Sequence, residues 1–441
     1  MQKAELKKKK IKLLPLVFLM YMFISGGSFG IEDMIGAAGP GISFLVLLLL
    51  PVFWAYPYGL VCAELGAKYP ELSGMYGWIK KAFGQFPAYL IGWSTTLANY
   101  IDTAVYMVLA MEYLNTALGL GLDETKRWAL GLAFIVVICF FSLRGVDVLA
   151  FSATLSGVII FLPLVLTVVL AIPRLTVNPF IPVFGTGNAA EDINQALLIG
   201  IWLYIGYDSL HTFSDEVEGA GPLISKAFLW AVPLAAVVYL VPTFIGLAAV
   251  GDWQQWSSTG PVDFIELGRR IGGNFLMVLF SVSAIIGNLS VYASYMSYGS
   301  RLIFRMAEDD LFFGKLTKIH PNYGTPYIAI IVSAAITGIL TMGTFESLIV
   351  IDILLMLVLV ITIMLAGIVL RMREDGCRQW DCFRIPVGNK AFIVMSLSPI
   401  LIAVYVITSC ETVEIISGMA CILAGIPLYR FFRYKQGCKK D

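Results

Sequence analysis

Ser25-Gly26-Gly27-Ser28-Phe29-Gly30-Ile31-Glu32-Asp33 is the stretch that decides how this chain is read. Three glycines among six residues interrupt an apolar run, and two carboxylates follow at once. In lipid every backbone N–H and C=O must be paired, so a spanning helix unwinds only where it lines a cavity in protein. The pattern returns at Trp202-Leu203-Tyr204-Ile205-Gly206-Tyr207-Asp208-Ser209, where a Gly and an Asp sit mid-segment and Asp215-Glu216 lie beyond. Glycine in membrane helices commonly serves close packing, and Gly206 by itself would mark little. Two interruptions, each beside a carboxylate, weigh more, because an acid near the bilayer centre costs at least about 2.5 kcal/mol.

Composition agrees with a membrane setting. Of 441 residues, 59% are hydrophobic and 14% charged, with a mean hydropathy of +0.83. Soluble chains carry about a quarter charged residues. The 30 Lys and Arg are matched by 30 Asp and Glu, which leaves no basic excess for nucleic acid. The apolar residues come in long runs, against both a disordered chain and an outer-membrane β-barrel.

A helix needs about 20 apolar residues to cross a hydrocarbon core of about 30 Å. Twelve such segments are expected, near 13–39, 41–66, 85–116, 127–143, 147–172, 193–213, 226–250, 275–305, 326–342, 345–370, 391–409 and 412–430. With the N-terminus inside, 25 Lys and Arg fall on the inner side and 5 on the outer, so both termini are expected in the cytoplasm. No cleavable secretory signal is expected, because the first apolar run is too long for one. The interrupted segments are the first and sixth, the interval of two five-helix inverted repeats. The expected organisation is a basic cytoplasmic segment (1–12), a first repeat (13–172), a second repeat (193–370), two peripheral spans (391–430) and a cytoplasmic tail (431–441).

Polar residues within the spans extend the candidate site. Asn99, Asp102 and Tyr106 share one face of the third segment, with Glu112 farther out. His211, one turn after Asp208, is read either as a proton relay or as a vestibule residue. Asp352 is a candidate lining residue. Glu64 is read as an interfacial carboxylate paired with Lys68. Of the many tyrosines, Tyr106, Tyr204 and Tyr207 are retained because they neighbour the carboxylates. Of seven cysteines, Cys62, Cys139, Cys410 and Cys421 lie in spans and Cys377, Cys382 and Cys438 on the inner side, so neither a disulfide framework nor a metal site is expected. His320 lies on a loop.

The chain resembles the amino acid–polyamine–organocation transporter superfamily over nearly its whole length, nearest its polyamine-uptake and L-type amino-acid-transporter-like branch. The resemblance rests on Gly26 to Asp33 followed by Ala37-Ala38-Gly39-Pro40, on Ile101-Asp102 with Tyr106, on Tyr207-Asp208-Ser209 with Glu216-Val217-Glu218, and on Tyr323-Gly324-Thr325-Pro326. It implies an all-α polytopic fold of the leucine-transporter type, ten helices in a 5+5 inverted repeat plus two peripheral ones, working by alternating access. It further implies that the N–H groups of Gly26, Gly27, Ser28, Phe29 and Gly30 hold a substrate carboxylate in amino-acid relatives, and that acids matching Glu32, Asp102 and Asp208 hold amines in polyamine relatives. Three positions depart from the pattern: Phe161 stands where many relatives carry a Lys, Met356 and Ile363 replace a Tyr and a Glu, and Tyr207 replaces a Trp.

The expected function is secondary active transport of a small organic cation, a polyamine or cationic amino acid. Glu32 and Asp208 would face the cavity as counter-ions and, with His211, serve as coupling candidates for a proton or for exchange. The alternative is a neutral or zwitterionic amino-acid exchanger or symporter. A channel would need a repeated filter loop, and an intramembrane enzyme a nucleophile–base pair or metal ligands such as His-Glu-x-x-His inside the spans; the sequence has no such loop, no His-Glu-x-x-His run, a single His within a span, and no P-loop for ATP. No cofactor or metal is expected. The expected location is a plasma or bacterial inner membrane.

Overall fold

The computed structural model describes residues 6–70, 74–257, 261–343, 345–373 and 383–437, and side chains outside 344–351 and 436–437. Cys377, Cys382 and Cys438 therefore lie outside the described residues. The first apolar segment is two helices, α1 (Leu13–Ile24) and α2 (Ile31–Ala38), with residues 25–30 unwound between them. Gly39 turns the chain into α3 (Pro40–Leu50), where Pro40 costs nothing because the first N–H groups of a helix have no intrahelical partner. A π-helical turn at Pro51–Ala55 joins α3 to α4 (Tyr56–Lys68), so one rod runs across the bundle.

Then follow a short amphipathic α5 (Met75–Phe83), the long α6 (Gln85–Leu118), α7 (Glu124–Ser142) and α8 (Val146–Ala171). The sixth apolar segment is helical only as α9 (Ala189–Leu203). The chain then unwinds at residues 204–208 and continues as a 3-10 turn at Ser209–Glu216, so helix ends earlier than the expected 213. Next are α10 (Ala220–Val250), α11 (Phe264–Glu308), α12 (Tyr327–Leu340), α13 (Phe345–Arg373), α14 (Asn389–Ser409), α15 (Thr412–Leu423) and α16 (Gly425–Gly437). α11 begins well before the expected residue 275, with a non-helical Gly273 breaking its first turns from the rest.

Among the described residues, eight helices are long and apolar enough to cross a membrane, and Leu13–Ile24 and Tyr327–Leu340 are apolar but shorter. α11 is the central element, packed against α6, α8 and α12 and touching α1. α1 lies between α8 and α10, and α2 packs on α9, which brings the two interrupted segments together. The outer faces of α7, α8, α14 and α15 expose Val136, Phe151, Val394 and Val413, each about two-thirds exposed or more. Apolar side chains of this kind fit contact with lipid, and the polar ones are turned inward.

Candidate functional site

The unwound residues free backbone groups that the interior must satisfy. Tyr239 of α10 stands at both breaks: its hydroxyl, a donor of one hydrogen, lies 3.1 Å from the carbonyl of Ile24 and 2.8 Å from that of Leu203, the last residues of α1 and α9. Tyr295 of α11 donates to the Phe23 carbonyl at 2.6 Å, and Trp54 Nε1 to the Tyr204 carbonyl at 2.7 Å. Within the first break, Ser25 Oγ donates to the Gly27 carbonyl and accepts from Gly27 N, and Ser28 Oγ donates to the Val238 carbonyl. Gly206 has φ 96°, and its α-carbon packs onto the Phe23 carbonyl with no room for a side chain. The two interrupted helices are therefore in backbone contact.

A cavity of about 30 Å³ lies over this contact, toward the end of the bundle away from Lys9. It is lined by the first break from Ser25 to Gly27, by Phe29, Gly30 and Asp33, and by Tyr106, Tyr113, Trp202 and Asn288. Tyr106 stacks between Trp202 and Tyr295, with ring centroids 6.0 Å apart on each side and planes 14° and 7° apart. Phe29 packs on Tyr113 at 5.6 Å and Phe264 at 6.3 Å. Space of that size leaves no room for an amino acid in this conformation.

The acids are distributed differently from expectation. Glu32 was read as a cavity counter-ion, but it is fully buried outside the lining and its Oε2 accepts from Gly30 N at 2.9 Å, capping α2 with its own side chain. The neighbouring Asp33 lines the cavity instead, where it accepts from Ser257 Oγ at 2.8 Å. Asp208 is buried below, off the lining, and its two oxygens accept from Tyr58 at 2.6 Å and Tyr298 at 3.2 Å. Asp102 accepts from Trp202 Nε1 at 3.3 Å. Asp352 is buried, and its Oδ1 has no partner among the described residues.

Of the expected site residues, Gly26, Gly27, Phe29, Gly30 and Tyr106 meet at the cavity. Ser28, Tyr204 and Tyr207 are turned into packing: Tyr207 stands edge-on to Tyr58 and Phe228, and Tyr204 to Tyr239. His211 is buried against Trp78 at 5.2 Å, and neither ring nitrogen has a partner among the described residues. It stands in no vestibule. Phe161 packs on Phe18 and Tyr21 of α1. Glu64 accepts from Arg371 at 2.7 Å and from Ile385 N at 2.8 Å, a buried pair with α13 that the reading with Lys68 did not anticipate.

The end of the bundle near Lys9 is closed by ion pairs. Arg301 of α11 meets Glu216 in a fork, Nε to Oε1 at 2.8 Å and Nη2 to Oε2 at 2.9 Å, with its guanidinium 5.0 Å from the Phe213 ring. Arg305 pairs with Asp215 and Glu308, and Lys80 with Asp309 at 2.6 Å. Lys9 exchanges backbone hydrogen bonds with Glu216 and Glu218 and pairs with Asp147 at 2.9 Å. The one sequence signal for Arg301 was an arginine at the edge of an apolar segment.

The amino acid permease family matches residues 16–417. A probable polyamine transporter of Arabidopsis thaliana is 31% identical over 429 residues, 96% of this chain and 84% of that protein. A polyamine transporter of Oryza sativa subsp. japonica is 31% identical over 433 residues, 97% of this chain and 79% of that protein. A branched-chain amino acid permease of Bacillus subtilis is 24% identical over 424 residues, 90% of this chain and 87% of that protein.

Proposed function

Because the chain belongs to the amino acid permease family, whose members it matches are transporters and not enzymes, we propose that it is a secondary active transporter of small organic cations. Polyamines are the first substrate class to test, since the relatives from Arabidopsis and Oryza are named as polyamine transporters. In this reading residues 13–172 and 193–370 form two inverted repeats within twelve spans. The bundle alternates between access at the Lys9 end, on the cytoplasmic side of a plasma or bacterial inner membrane, and access at the Asp33 end. Coupling is to a proton or to exchange.

The observation that carries the cation reading is the self-capping of α2. An amino acid's carboxylate would be drawn to the N-terminus of a half-helix, where free N–H groups and the helix dipole favour an anion. Here the Glu32 carboxyl already sits on Gly30 N, so a carboxylate ligand would have to displace that side chain. Asp33 in the lining and the Trp202, Tyr106 and Tyr113 rings around the cavity offer an ammonium a counter-charge and π-faces. The amino-acid reading draws on the resemblance to the branched-chain permease and on the glycine-rich break.

Thermal unfolding of the purified protein, scanned across amines and amino acids, separates the two, because a ligand that binds only the folded state raises its stability. Stabilisation by putrescine, spermidine or spermine and none by neutral amino acids supports the cation reading. The reverse outcome replaces it with the amino-acid one.

A further inference from the structure

A second cavity, of about 350 Å³, lies behind α6 and takes no part in the site described above. α6 lends a different face to each: Tyr106, Leu109 and Tyr113 line the cavity between the broken helices, and Met107, Met111 and Glu112 line this one. The other walls are the first turns of α7 and the turn after α12, Thr341 to Gly343. The volume falls within the range of about 300–1,000 Å³ usual for small-molecule pockets. Leu143, at the far end of α7, is joined through Thr325 and Gly324 to the Lys7 segment, so the cavity lies at the end of the bundle away from Lys9. It opens outward, since Met342 in its lining and the nearby Ile339 are each 65% exposed.

Its walls are tied by specific contacts. Arg127 Nη1 donates to Glu112 Oε1 at 3.1 Å, joining α7 to α6, and Trp128 Nε1 donates to the Gly338 carbonyl at 2.9 Å, joining α7 to α12. Polarity runs in one direction along both helices. On α7 the lining passes from Glu124 and Arg127 at the helix end, through Trp128, to Gly131 one turn deeper; on α6 it passes from Glu112 to Met111 and Met107. By helical rise the α7 wall is about 10 Å deep. Gly131 opens the floor, where a Cβ would meet Met111 Cγ at 3.4 Å and Met107 Cγ at 3.5 Å. These two methionines belong to a buried apolar cluster that continues with Ile135, Met296 and Ile330.

A pocket charged at its mouth and apolar at its floor suits an amphiphile lying along the helices with its head outward. The head is specified by sign. Glu112, Glu124 and Arg127 place both charges at the mouth, so a phosphate can take Arg127 while an ammonium takes the two carboxylates. The pair of Arg127 with Glu112 is no obstacle, because its side chains are 26% and 48% exposed and such pairs hold little free energy. An anionic head would meet two carboxylates and one guanidinium, and a sterol would leave the charges unanswered. We propose that this cavity is a site for one acyl chain of a zwitterionic phospholipid, with its phosphate on Arg127 and its amine between Glu112 and Glu124. A lipid seated there braces α6 from behind the face that carries Tyr106 and Tyr113. The site is independent of which substrate the transporter carries.

The test is native mass spectrometry of the delipidated full-length protein, titrated with phosphatidylethanolamine, phosphatidylcholine and phosphatidylglycerol of the same chains, for wild type, Gly131→Leu and Gly131→Ala. The leucine fills the floor, and the alanine makes only ordinary contact with the two methionines. Wild type and Gly131→Ala are expected to bind the first zwitterionic lipid at least about tenfold more tightly than Gly131→Leu, since about two buried methylenes suffice for that factor. Equal binding by all three proteins means lipid held only at the annulus and overturns the site. Wild type that binds phosphatidylglycerol as tightly as the zwitterions overturns the assignment of the head. A phosphatidylethanolamine carrying a diazirine in one acyl chain, photolysed with wild type and read by peptide mass spectrometry, depends on no variant. Crosslinks at Met107, Met111 or Trp128 that unlabelled lipid competes away are expected, and crosslinks confined to the outer faces of α8, α14 and α15 overturn the proposal.

Discussion

A Cβ built on Gly206 would lie 2.1 Å from the carbonyl oxygen of Phe23, well inside any real contact. The backbones of the two interrupted helices touch at this point, and glycine is the residue that permits both the approach and the φ of 96°. Gly206→Ala is therefore expected to yield little folded protein. Gly84→Ala is the control, because Gly84 also has a positive φ, 93°, but nothing within 4 Å of its Cβ position. Size-exclusion profiles of the two variants check this. Equal recovery of both would mean that the Phe23 carbonyl moves aside freely.

Tyr239→Phe keeps the ring that stands edge-on to Tyr204 at 5.1 Å and removes only the hydroxyl. Carbonyls at Ile24 and Leu203 would lose their donor, with a cost of about 1–3 kcal/mol for a buried group left unpaired. A lower melting temperature together with slower uptake is expected. Unchanged melting would show that other donors reach these carbonyls.

The Arg301 and Glu216 pair is 1% and 2% exposed, so removing one partner leaves a charge stranded indoors. Glu216→Ala is expected to cost about 3–5 kcal/mol. Replacing both partners, Arg301→Met with Glu216→Leu, should recover much of that loss in a denaturation experiment. A double variant no more stable than Glu216→Ala would contradict the account.

Glu32→Ala uncovers the N-terminus of α2 at Gly30 N. Neutral amino acids, which carry a carboxylate, should then compete for the site more strongly than in wild type, while amines lose little. Competition unchanged by the substitution would mean that Glu32 does not guard that position.

Asp263 lies just outside α11 and accepts from Glu266 N at 2.7 Å as its N-cap, and burial pushes its carboxyl above the usual carboxylate range. A raised folded-state value stabilises below the unfolded value of about 4, and that contribution is lost as pH rises through the shifted value. Asp263→Asn keeps a capping side chain without the charge. The variant's melting temperature should gain on wild type as pH rises from about 4, and parallel curves would exclude a folded-state shift at Asp263.

The two breaks were legible in the sequence because glycines and carboxylates are costly in a spanning helix, so Gly26, Gly30, Gly206 and Asp208 stand out against apolar neighbours. The ends of helices were less so. The start of α11 at Phe264 lies in a stretch with Glu266, Arg269 and Arg270, which reads as loop until the Asp263 cap is seen. Side-chain direction was the least legible. Glu32 and Asp33 are adjacent, and only the folded backbone decides that the first turns onto Gly30 and the second into the cavity. Arg371 with Glu64 and Arg301 with Glu216 join residues 307 and 85 positions apart, beyond the reach of any local pattern.

The Tyr239 hydroxyl carries one hydrogen and stands before two acceptors, Ile24 O and Leu203 O. Its favour can pass from one carbonyl to the other by a small rotation about the C–O bond, with the ring left in place. A joint built this way tolerates sliding: when one broken helix shifts against the other, the strength drained from one hydrogen bond flows into its neighbour, and the seam stays cheap to move without coming apart.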